Sequence, residues 1–482
     1  MNAITLPAIA YVCTSQDIQR LKTANPTNAF LAELPQQEDE LLRYFNDGAV
    51  QNGQALDIVA YLTIYAGIHG SQGIIRKLRR LIASLGISLR FVRHVDRALS
   101  PHYPSLLAGC NNDPLLLLAN PSDDVRRRIN ALAEEARTDG SYKVRNPIEG
   151  LSPKEYEHSL DRMCLNVLQK TKGLDTLIRL FSKHWNERFS AVRFTGSNLR
   201  LGPDQLPEIF DMFSEACGIL QVNSVPRLYV QQQRVFNAFV TGVDDPIVVF
   251  TSEILEQLNY SEQLFIAGHE LGHAKSEHIL YSMIADMISG HILEPVLATI
   301  GTMTLGFSGP VILALKCALF NWQRASELTA DRAGLLCCQD IDVAMSCLMR
   351  MAGTPPKYAS SMNVEAFKNQ AREFQELDFD LRDKVIKTMI LLDRTHPWTI
   401  MRGHELLKWY ESGNYQRVLD RMPVLESNDD DQTSNAIFGD LPAQEQSDGD
   451  GVSEDNFRFC SQCGARQSAD GSFCTECGNN LQ

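Results

Sequence analysis

The chain has 482 residues, 44% of them apolar, a composition of ordinary globular proteins with core material for two to four domains. The net charge is −14, but ten acidic residues fall in 426–456, a stretch without Lys or Arg. The rest of the chain is therefore only mildly acidic, and its charge says little about the class of substrate. Residues 1–5 lack the pattern of a secretory signal and eight of the twelve cysteines are scattered, which argues against a disulfide scaffold and predicts a cytoplasmic protein with reduced thiols.

Residues 1–145 form the first predicted unit, an N-terminal α/β domain of unknown function. The composition of residues 8–13 and 87–92 predicts two strands, with helices between and after them. Residues 73–85 are predicted to form an amphipathic helix whose basic face carries Arg76, Lys77, Arg79 and Arg80. That face is either solvated or a docking surface for an acidic partner or a lipid.

The second predicted unit, residues 146–425, combines a small sheet with a mainly helical remainder, which indicates an α+β fold. Strands are predicted at 192–195, 227–230, 236–240 and 246–250. Helices are predicted at 156–186, 206–220, 251–258, 321–339, 343–351, 364–377, 379–392 and 403–412.

An apolar stretch within residues 292–320 is about as long as a membrane span. Gly309 and Pro310 interrupt it, and Glu294 and Lys316 bracket it closely. We therefore favour a buried helical pair over a membrane-inserted hairpin or span.

A zinc-binding pattern lies at residues 269–273, where the sequence reads His-Glu-Leu-Gly-His. Successive residues of an α-helix are about 100° apart, so His269 and His273 lie one turn apart on one face and can point at one zinc ion. Glu270 lies beside them and can take a proton from a water that the zinc activates. Ser261 is the predicted N-cap of this helix. Two surface histidines on an amphipathic helix are the alternative.

A catalytic zinc needs a third protein ligand, with the fourth position left open. His278 would lie about 140° from His273 around a continued helix, on the wrong face. Ser276 and Ile279 stand where a metzincin-type site requires Gly and His, which excludes that class. Glu294 is at a plausible separation, but it precedes a proline and opens the apolar stretch.

Glu327 and Asp331 are better candidates, because they are four residues apart on one face of a predicted helix. One carboxylate can then bind zinc while the other hydrogen-bonds a histidine ligand. An ordinary helix with exposed acidic side chains is the alternative.

Several separate motifs, taken in order, resemble those of the HtpX and CAAX-prenyl-protease family of zinc metallopeptidases, which are gluzincins. They are Asn237-Ala238-Phe239 with Gly242, the His-Glu-Leu-Gly-His box, Glu327 with Asp331, and His396-Pro397 with Arg402. The resemblance covers roughly residues 147–410 and leaves residues 1–145 uncovered. HtpX-like members carry membrane spans before the catalytic helix, and the first 250 residues show none, so the resemblance implies a soluble or peripheral member.

The resemblance also implies which residues hold the metal. His269, His273 and Glu327 would be the ligands of a catalytic zinc. Glu270 would be the general base, and Asp331 would support a histidine ligand through a hydrogen bond.

The remaining motifs would form the substrate cleft. The strand from Asn237 to Val240 would lie along it and pair with the substrate backbone as an added strand. His396 and Arg402 would stand over the cleft. His396 would either stabilise the oxyanion or, in a resting state, occupy the open position of the zinc and hold the enzyme latent.

Residues 457–482 carry four cysteines in two C-x-x-C pairs, each followed by glycine: Cys460, Cys463, Cys474 and Cys477. Four thiolates close the coordination shell of a zinc ion, so this pattern predicts a small zinc ribbon held together by a structural zinc. A redox dithiol is the alternative. Residues 426–456, acidic and poor in apolar residues, are predicted to be a disordered linker, and their charge favours a protein partner over nucleic acid.

These observations predict a zinc endopeptidase, with one catalytic and one structural zinc, that cleaves extended or unfolded polypeptide segments in quality control or regulated proteolysis. One alternative is a latent or non-catalytic protein of the same fold that acts as a binding or regulatory module. The intact Glu270 speaks against it, since such a protein needs no base. Another is a membrane-associated quality-control protease that uses residues 292–320. The expected partners are a polypeptide substrate and a protein bound through the zinc ribbon or the N-terminal domain, with no nucleic acid.

Overall fold

In the computed structural model the chain forms two compact units, Met1–Val144 and Arg145–Gln482. The structure describes residues 11–13, 15–24, 55–109, 112–115, 122–171, 174, 178, 192, 194–243, 245–289, 309–376, 398–424, 457–459 and 466–468. In both units these residues are mainly helical.

The first unit is built around one apolar helix. Its described helices are α1 (Ser15–Ala24), α2 (Ala55–His69), α3 (Gln72–Ser84), α4 (Leu89–Leu99), α5 (Tyr103–Gly109) and α6 (Asp123–Asp139). Helix α2 is buried over most of its surface, and α3, α4 and α6 pack against it. A helix that is apolar on all sides belongs in the centre of a core.

Neither strand predicted for the first unit is present in the described residues, so the α/β assignment of this unit is wrong there. Residues 11–12 are helical, and residues 89–99 form α4. Phe91, Val95 and Leu99 recur every four residues and are buried. That helical period extends beyond the short window of residues 87–92, which is why the window alone resembled a strand.

The second unit confirms the predicted combination of a mainly helical fold with a small sheet. Its described helices are α7 (Ser159–Lys170), α8 (Pro207–Ile219), α9 (Ser252–Gln257), α10 (Tyr260–Lys275), α11 (Ile279–Ser289), α12 (Gly309–Cys338), α13 (Ile341–Met351), α14 (Val364–Glu376), α15 (Thr399–Glu411) and α16 (Asn414–Leu419). Short 3₁₀ segments occur at Ser100–His102 in the first unit and at Pro153–Glu155 and Pro356–Ser361 in the second.

The sheet has four strands in the order β1-β2-β4-β3. They are β1 (Leu199–Arg200), β2 (Arg227–Gln231), β3 (Ala238–Thr241) and β4 (Ile247–Thr251). Strands β2 and β4 are parallel, whereas β1 and β3 pair antiparallel to β2 and β4 respectively. The three strands predicted at 227–230, 236–240 and 246–250 are therefore confirmed, and β3 forms one edge of the sheet.

The strand predicted at 192–195 is wrong, because residues 192 and 194–197 are helical. Val192 is 72% exposed, while Phe194 is buried and its ring lies 5.8 Å from the ring of Phe239. β-Branched residues such as Val192 favour strands when they pack against neighbouring side chains of a sheet. The exposed Val192 has no such packing.

The apolar core of the second unit buries α10 and α12 between the sheet and the other helices. The ring of Phe250 on β4 meets the ring of Phe213 on α8 edge-on at 6.4 Å. A second apolar cluster around Trp322 joins α7, α11 and α12. Every residue from Tyr260 to His273 on α10 is buried, so the polar residues of this helix lie inside the protein.

Several predictions concern residues outside the described ones: residues 292–308 of the apolar stretch, the helix at 379–392, the linker at 426–456, and Cys460, Cys463, Cys474 and Cys477. Residues 309–320 begin helix α12. No helix in the described ranges has the length and hydropathy needed to cross a membrane. Within the predicted zinc ribbon, β5 (Phe457–Phe459) pairs antiparallel with β6 (Arg466–Ser468).

Candidate metal centre

Helix α10, which carries the His-Glu-Leu-Gly-His box, begins with a capping box. The Asn259 side chain accepts a hydrogen bond from the Glu262 N–H at 3.0 Å, and the Glu262 carboxylate accepts one from the Asn259 N–H at 3.0 Å. These bonds satisfy two N–H groups that the helix itself leaves unpaired. The predicted N-cap, Ser261, is wrong by two residues. Ser261 lies inside the first turn, where its hydroxyl accepts a 2.7 Å hydrogen bond from the buried Arg145.

Three buried side chains from α10 and α12 converge on one point. Nε2 of His269 lies 3.3 Å from Nε2 of His273 and 3.5 Å from one carboxylate oxygen of Glu327. Nε2 of His273 lies 3.4 Å from the other oxygen of that carboxylate. The donor atoms of all three residues lie within 4.8 Å of one another.

This set of donor atoms fits a zinc ion. Two imidazoles and a carboxylate are a usual ligand set of catalytic zinc, which keeps its fourth position open. Ligand atoms about 2.0–2.1 Å from a tetrahedral ion are about 3.3–3.4 Å apart. The two Nε2 atoms are 3.3 Å apart, and each lies 3.4–3.5 Å from a different oxygen of the Glu327 carboxylate. Burial lowers the pKa of His273 to about 4, against the opposing effect of Glu327, and this favours the neutral imidazole that binds metals.

The helices that carry the cluster approach each other closely because glycines lie at their contact. A Cβ atom on Gly268 would lie 2.5 Å from Cβ of Cys337, and one on Gly272 would lie 2.6 Å from Cβ of Ala333. Gly334 on α12 has the same relation to the Phe265 carbonyl oxygen, at 2.8 Å. The absence of these side chains lets α12 bring its carboxylates to the histidines of α10.

Gly268→Ala is expected to destabilise the protein by about 1–3 kcal/mol, because the added methyl group overpacks this contact. Urea denaturation of the two proteins measures the difference. Gly218→Ala on α8 is the matched control, since a Cβ there meets nothing within 4 Å. It is expected to raise stability by about 0.5–1 kcal/mol through helix propensity. Equal stability of Gly268→Ala and wild type would contradict the close helix approach.

Asp331 and Arg402 lie behind His269, on the side of the ring opposite the cluster. Nδ1 of His269 lies 3.0 Å from Asp331, and the Arg402 guanidinium donates to both oxygens of Asp331 at 2.6 and 2.8 Å. The same guanidinium lies 3.2 Å from Glu327. Burial raises the pKa of Asp331, but the charge and hydrogen bonds of Arg402 outweigh burial, so the pKa is lowered and Asp331 is ionised.

The expectation that Arg402 stands over the cleft is therefore wrong. Its side chain is buried, with 3% exposed, and it pairs with the carboxylates of Asp331 and Glu327. A guanidinium forms such paired hydrogen bonds because its N–H groups match the geometry of a carboxylate.

His269 has a carboxylate facing each of its ring nitrogens. Burial lowers the pKa of the ring, but hydrogen bonds with Asp331 and Glu327 outweigh burial and raise that pKa to about 10. A metal competes with a proton for the same Nε2 lone pair. Metal binding at this position is therefore coupled to proton release.

His278 is not on the far face of α10 as predicted, because the helix ends at Lys275. Glu277 has a left-handed φ of 61°, and the His278 N–H donates to the His273 carbonyl at 3.0 Å. This is the geometry of a Schellman helix ending. It returns the His278 ring to His273, with 3.1 Å between their Nδ1 atoms.

Glu270 and strand β3 complete the surroundings of the cluster. Glu270 follows His269 on α10 and is 6% exposed. Strand β3 packs against α10, and β4 is its only partner strand among the described residues. Asn237, which directly precedes β3, is exposed, and Ala238 and Phe239 are partly exposed. His396, the other residue predicted over the cleft, lies outside the described residues.

Comparison with known proteins agrees with this geometry. Residues 206–410 match the sequence model of peptidase family M48. This part of the chain is therefore similar to the M48 peptidases. The predicted resemblance to HtpX-like zinc metallopeptidases is thereby confirmed, and the matched range includes the three residues of the cluster together with Asp331 and Arg402.

The relatives found are named as a metallopeptidase or as proteases. The plastoglobule-localized metallopeptidase 48 of Arabidopsis thaliana is 28% identical over 308 residues, which cover 61% of this chain and 86% of that protein. An HtpX protease homologue of Sulfurihydrogenibium is 33% identical over 131 residues, 23% of this chain and 44% of the homologue. An HtpX homologue of Syntrophotalea carbinolica is 24% identical over 240 residues, 46% of this chain and 81% of the homologue. No solved structure matches the chain significantly. The M48 match and these relatives support a metallopeptidase.

Proposed function

We propose that the protein is a zinc-dependent endopeptidase that hydrolyses peptide bonds in extended or unfolded polypeptide segments. The observation that carries the proposal is the buried cluster of His269, His273 and Glu327, whose ligand atoms lie within 4.8 Å of one another. M48 peptidases are typically zinc-dependent, which agrees with this ligand set.

A zinc ion held by these residues would supply Lewis acidity and would bring the pKa of a water molecule near neutrality. In the proposed mechanism the Glu270 carboxylate accepts the proton of the attacking water and later donates it to the nitrogen of the leaving amine. Asp331 holds the ring of His269 in a fixed orientation through Nδ1, and Arg402 keeps Asp331 ionised. The protein thus supplies a base and a fixed set of ligands.

The substrate is proposed to bind as an added strand along β3, at Asn237, Ala238 and Phe239. Two features support this: β3 lies at the edge of the sheet, and it packs against the helix that carries Glu270. The free edge of a strand pairs with any extended backbone, whatever its sequence. This mode favours unfolded or extended segments, and it agrees with a role in quality control or regulated proteolysis.

We also propose a structural zinc bound by Cys460, Cys463, Cys474 and Cys477, with a protein partner for that module or for the first unit. A cytoplasmic location is proposed because the described cysteines are free thiols. The name of the Arabidopsis relative makes association with a lipid surface the alternative. Cell fractionation distinguishes the two locations.

Removal of zinc tests the proposed activity. Treatment with 1,10-phenanthroline is expected to abolish cleavage of an unfolded model protein, and addition of zinc after removal of the chelator is expected to restore it. His269→Ala should stay inactive at every zinc concentration, because one ligand is missing. Cleavage that survives both the chelator and His269→Ala would contradict a zinc peptidase at this site.

His396→Ala tests the proposed latch. If His396 occupies the open metal position in a resting state, the variant is expected to cleave the substrate faster than wild type from the start of the assay. A loss of activity with unchanged zinc content would instead assign His396 to stabilisation of the oxyanion.

A further inference from the structure

A buried chain of hydrogen bonds leads from His273 to a carboxylate on another helix. Nδ1 of His273 lies 3.1 Å from Nδ1 of His278, and Nε2 of His278 lies 3.0 Å from Oδ2 of Asp161 on α7. The Thr329 hydroxyl donates to the same Asp161 oxygen at 2.7 Å. His278 is 3% exposed and Asp161 is 1% exposed, so bulk water does not compete for these bonds.

The chain has a defined direction when Nε2 of His273 binds a metal. A neutral imidazole has one N–H donor and one acceptor nitrogen. With the lone pair of Nε2 directed at the cluster, the proton of His273 is on Nδ1 and is donated to Nδ1 of His278. His278 then carries its own proton on Nε2 and donates it to Asp161, which is the acceptor at the end of the chain.

Asp161 supports His273 as Asp331 supports His269, except that the ring of His278 lies between the two groups. Both ligand histidines thus use Nδ1 to reach a buried carboxylate, directly for His269 and through His278 for His273. Such partners fix the tautomer and orientation of a ligand histidine and increase its basicity. Asp161 precedes residues 206–410, so this support comes from a helix outside the part that matches the M48 family.

We propose that His278 and Asp161 are positioning residues that hold His273 in its metal-binding tautomer and orientation. The proposal rests on the proposed zinc site. It implies that this site also depends on helix α7, which carries Asp161.

The test measures the zinc affinity of the full-length protein by chelator competition. Zinc that is bound by wild type but not by His269→Ala is assigned to the proposed site, and only this zinc is compared between variants. The double variant His278→Leu with Asp161→Leu removes the chain without leaving a buried unpaired charge. It is expected to bind that zinc about 10–100-fold more weakly. His278→Asn places an acceptor oxygen near the position of Nδ1 and is expected to recover part of the affinity.

Glu405→Gln is the matched control, because Glu405 forms a buried pair with His158 at 3.2 Å in the same unit. It is expected to leave zinc affinity unchanged even if it lowers the melting temperature. The proposal is overturned if the double variant binds zinc as tightly as wild type, or if Glu405→Gln weakens binding equally. If His269→Ala binds as much zinc as wild type, the proposed metal site itself is wrong. That result differs from the two outcomes that would overturn only the role of His278 and Asp161.

Discussion

Glu270→Gln is expected to slow hydrolysis of an unfolded model protein about 10²–10⁴-fold while bound zinc stays the same. Glutamine has the shape of glutamate but cannot accept the proton of the attacking water. The three proposed ligands, His269, His273 and Glu327, are unchanged in this variant. Initial rates and zinc content, measured on the same samples, separate loss of the base from loss of the metal.

Glu277→Gln is the control for that experiment. Glu277 is an exposed glutamate in the turn that follows the same helix, and its change to glutamine is expected to leave the rate unchanged. A wild-type rate for Glu270→Gln at equal zinc content would show that another group accepts the proton.

Arg402→Met is expected to lower the free energy of unfolding by about 3–5 kcal/mol, because removal of one partner leaves buried charge without compensation. The guanidinium contacts Asp331 at 2.6 Å and Glu327 at 3.2 Å, and all three side chains are at most 5% exposed. Methionine retains much of the volume, so the effect isolates the charge. Urea denaturation measures it.

Arg421→Met provides the comparison, since Arg421 pairs with Glu155 at 2.7 Å on the surface. Solvent screens this pair, whose arginine side chain is 36% exposed, and its loss is expected to cost less than about 1 kcal/mol. Similar losses for the two variants would mean that the buried position of Arg402 has no special electrostatic role.

The main elements of the site could be predicted because they depend on local helical spacing. His269 and His273, and likewise Glu327 and Asp331, are four residues apart, and four residues of a helix place two side chains on one face whatever the rest of the fold does. Strands β2, β3 and β4 could be predicted as well, because their alternating or fully buried runs end at turn residues.

The errors arose where a position depends on a chain reversal or on distant contacts. The prediction for His278 assumed that α10 continues, whereas the left-handed Glu277 ends the helix and returns the ring to His273. Asp161 carries no local signal at all, since it lies 117 positions before His278 in the sequence. Arg402 was expected in the cleft, but contacts with two carboxylates from α12 keep it buried.

Glycine spacing was the signal available but not used. Gly268 and Gly272 are four residues apart on α10, which predicts a face where another helix approaches closely. The structure places Ala333 and Cys337 of α12 against that face. Such a pattern would have indicated that another helix packs closely against α10.

The most direct measurement is anomalous diffraction at the zinc absorption edge from crystals of the full-length protein. The proposed site predicts an anomalous peak about 2.0–2.1 Å from Nε2 of both His269 and His273, with a Glu327 oxygen at a similar distance. A zinc-saturated crystal with no peak between these three side chains, or with a peak bound by other residues, would contradict it.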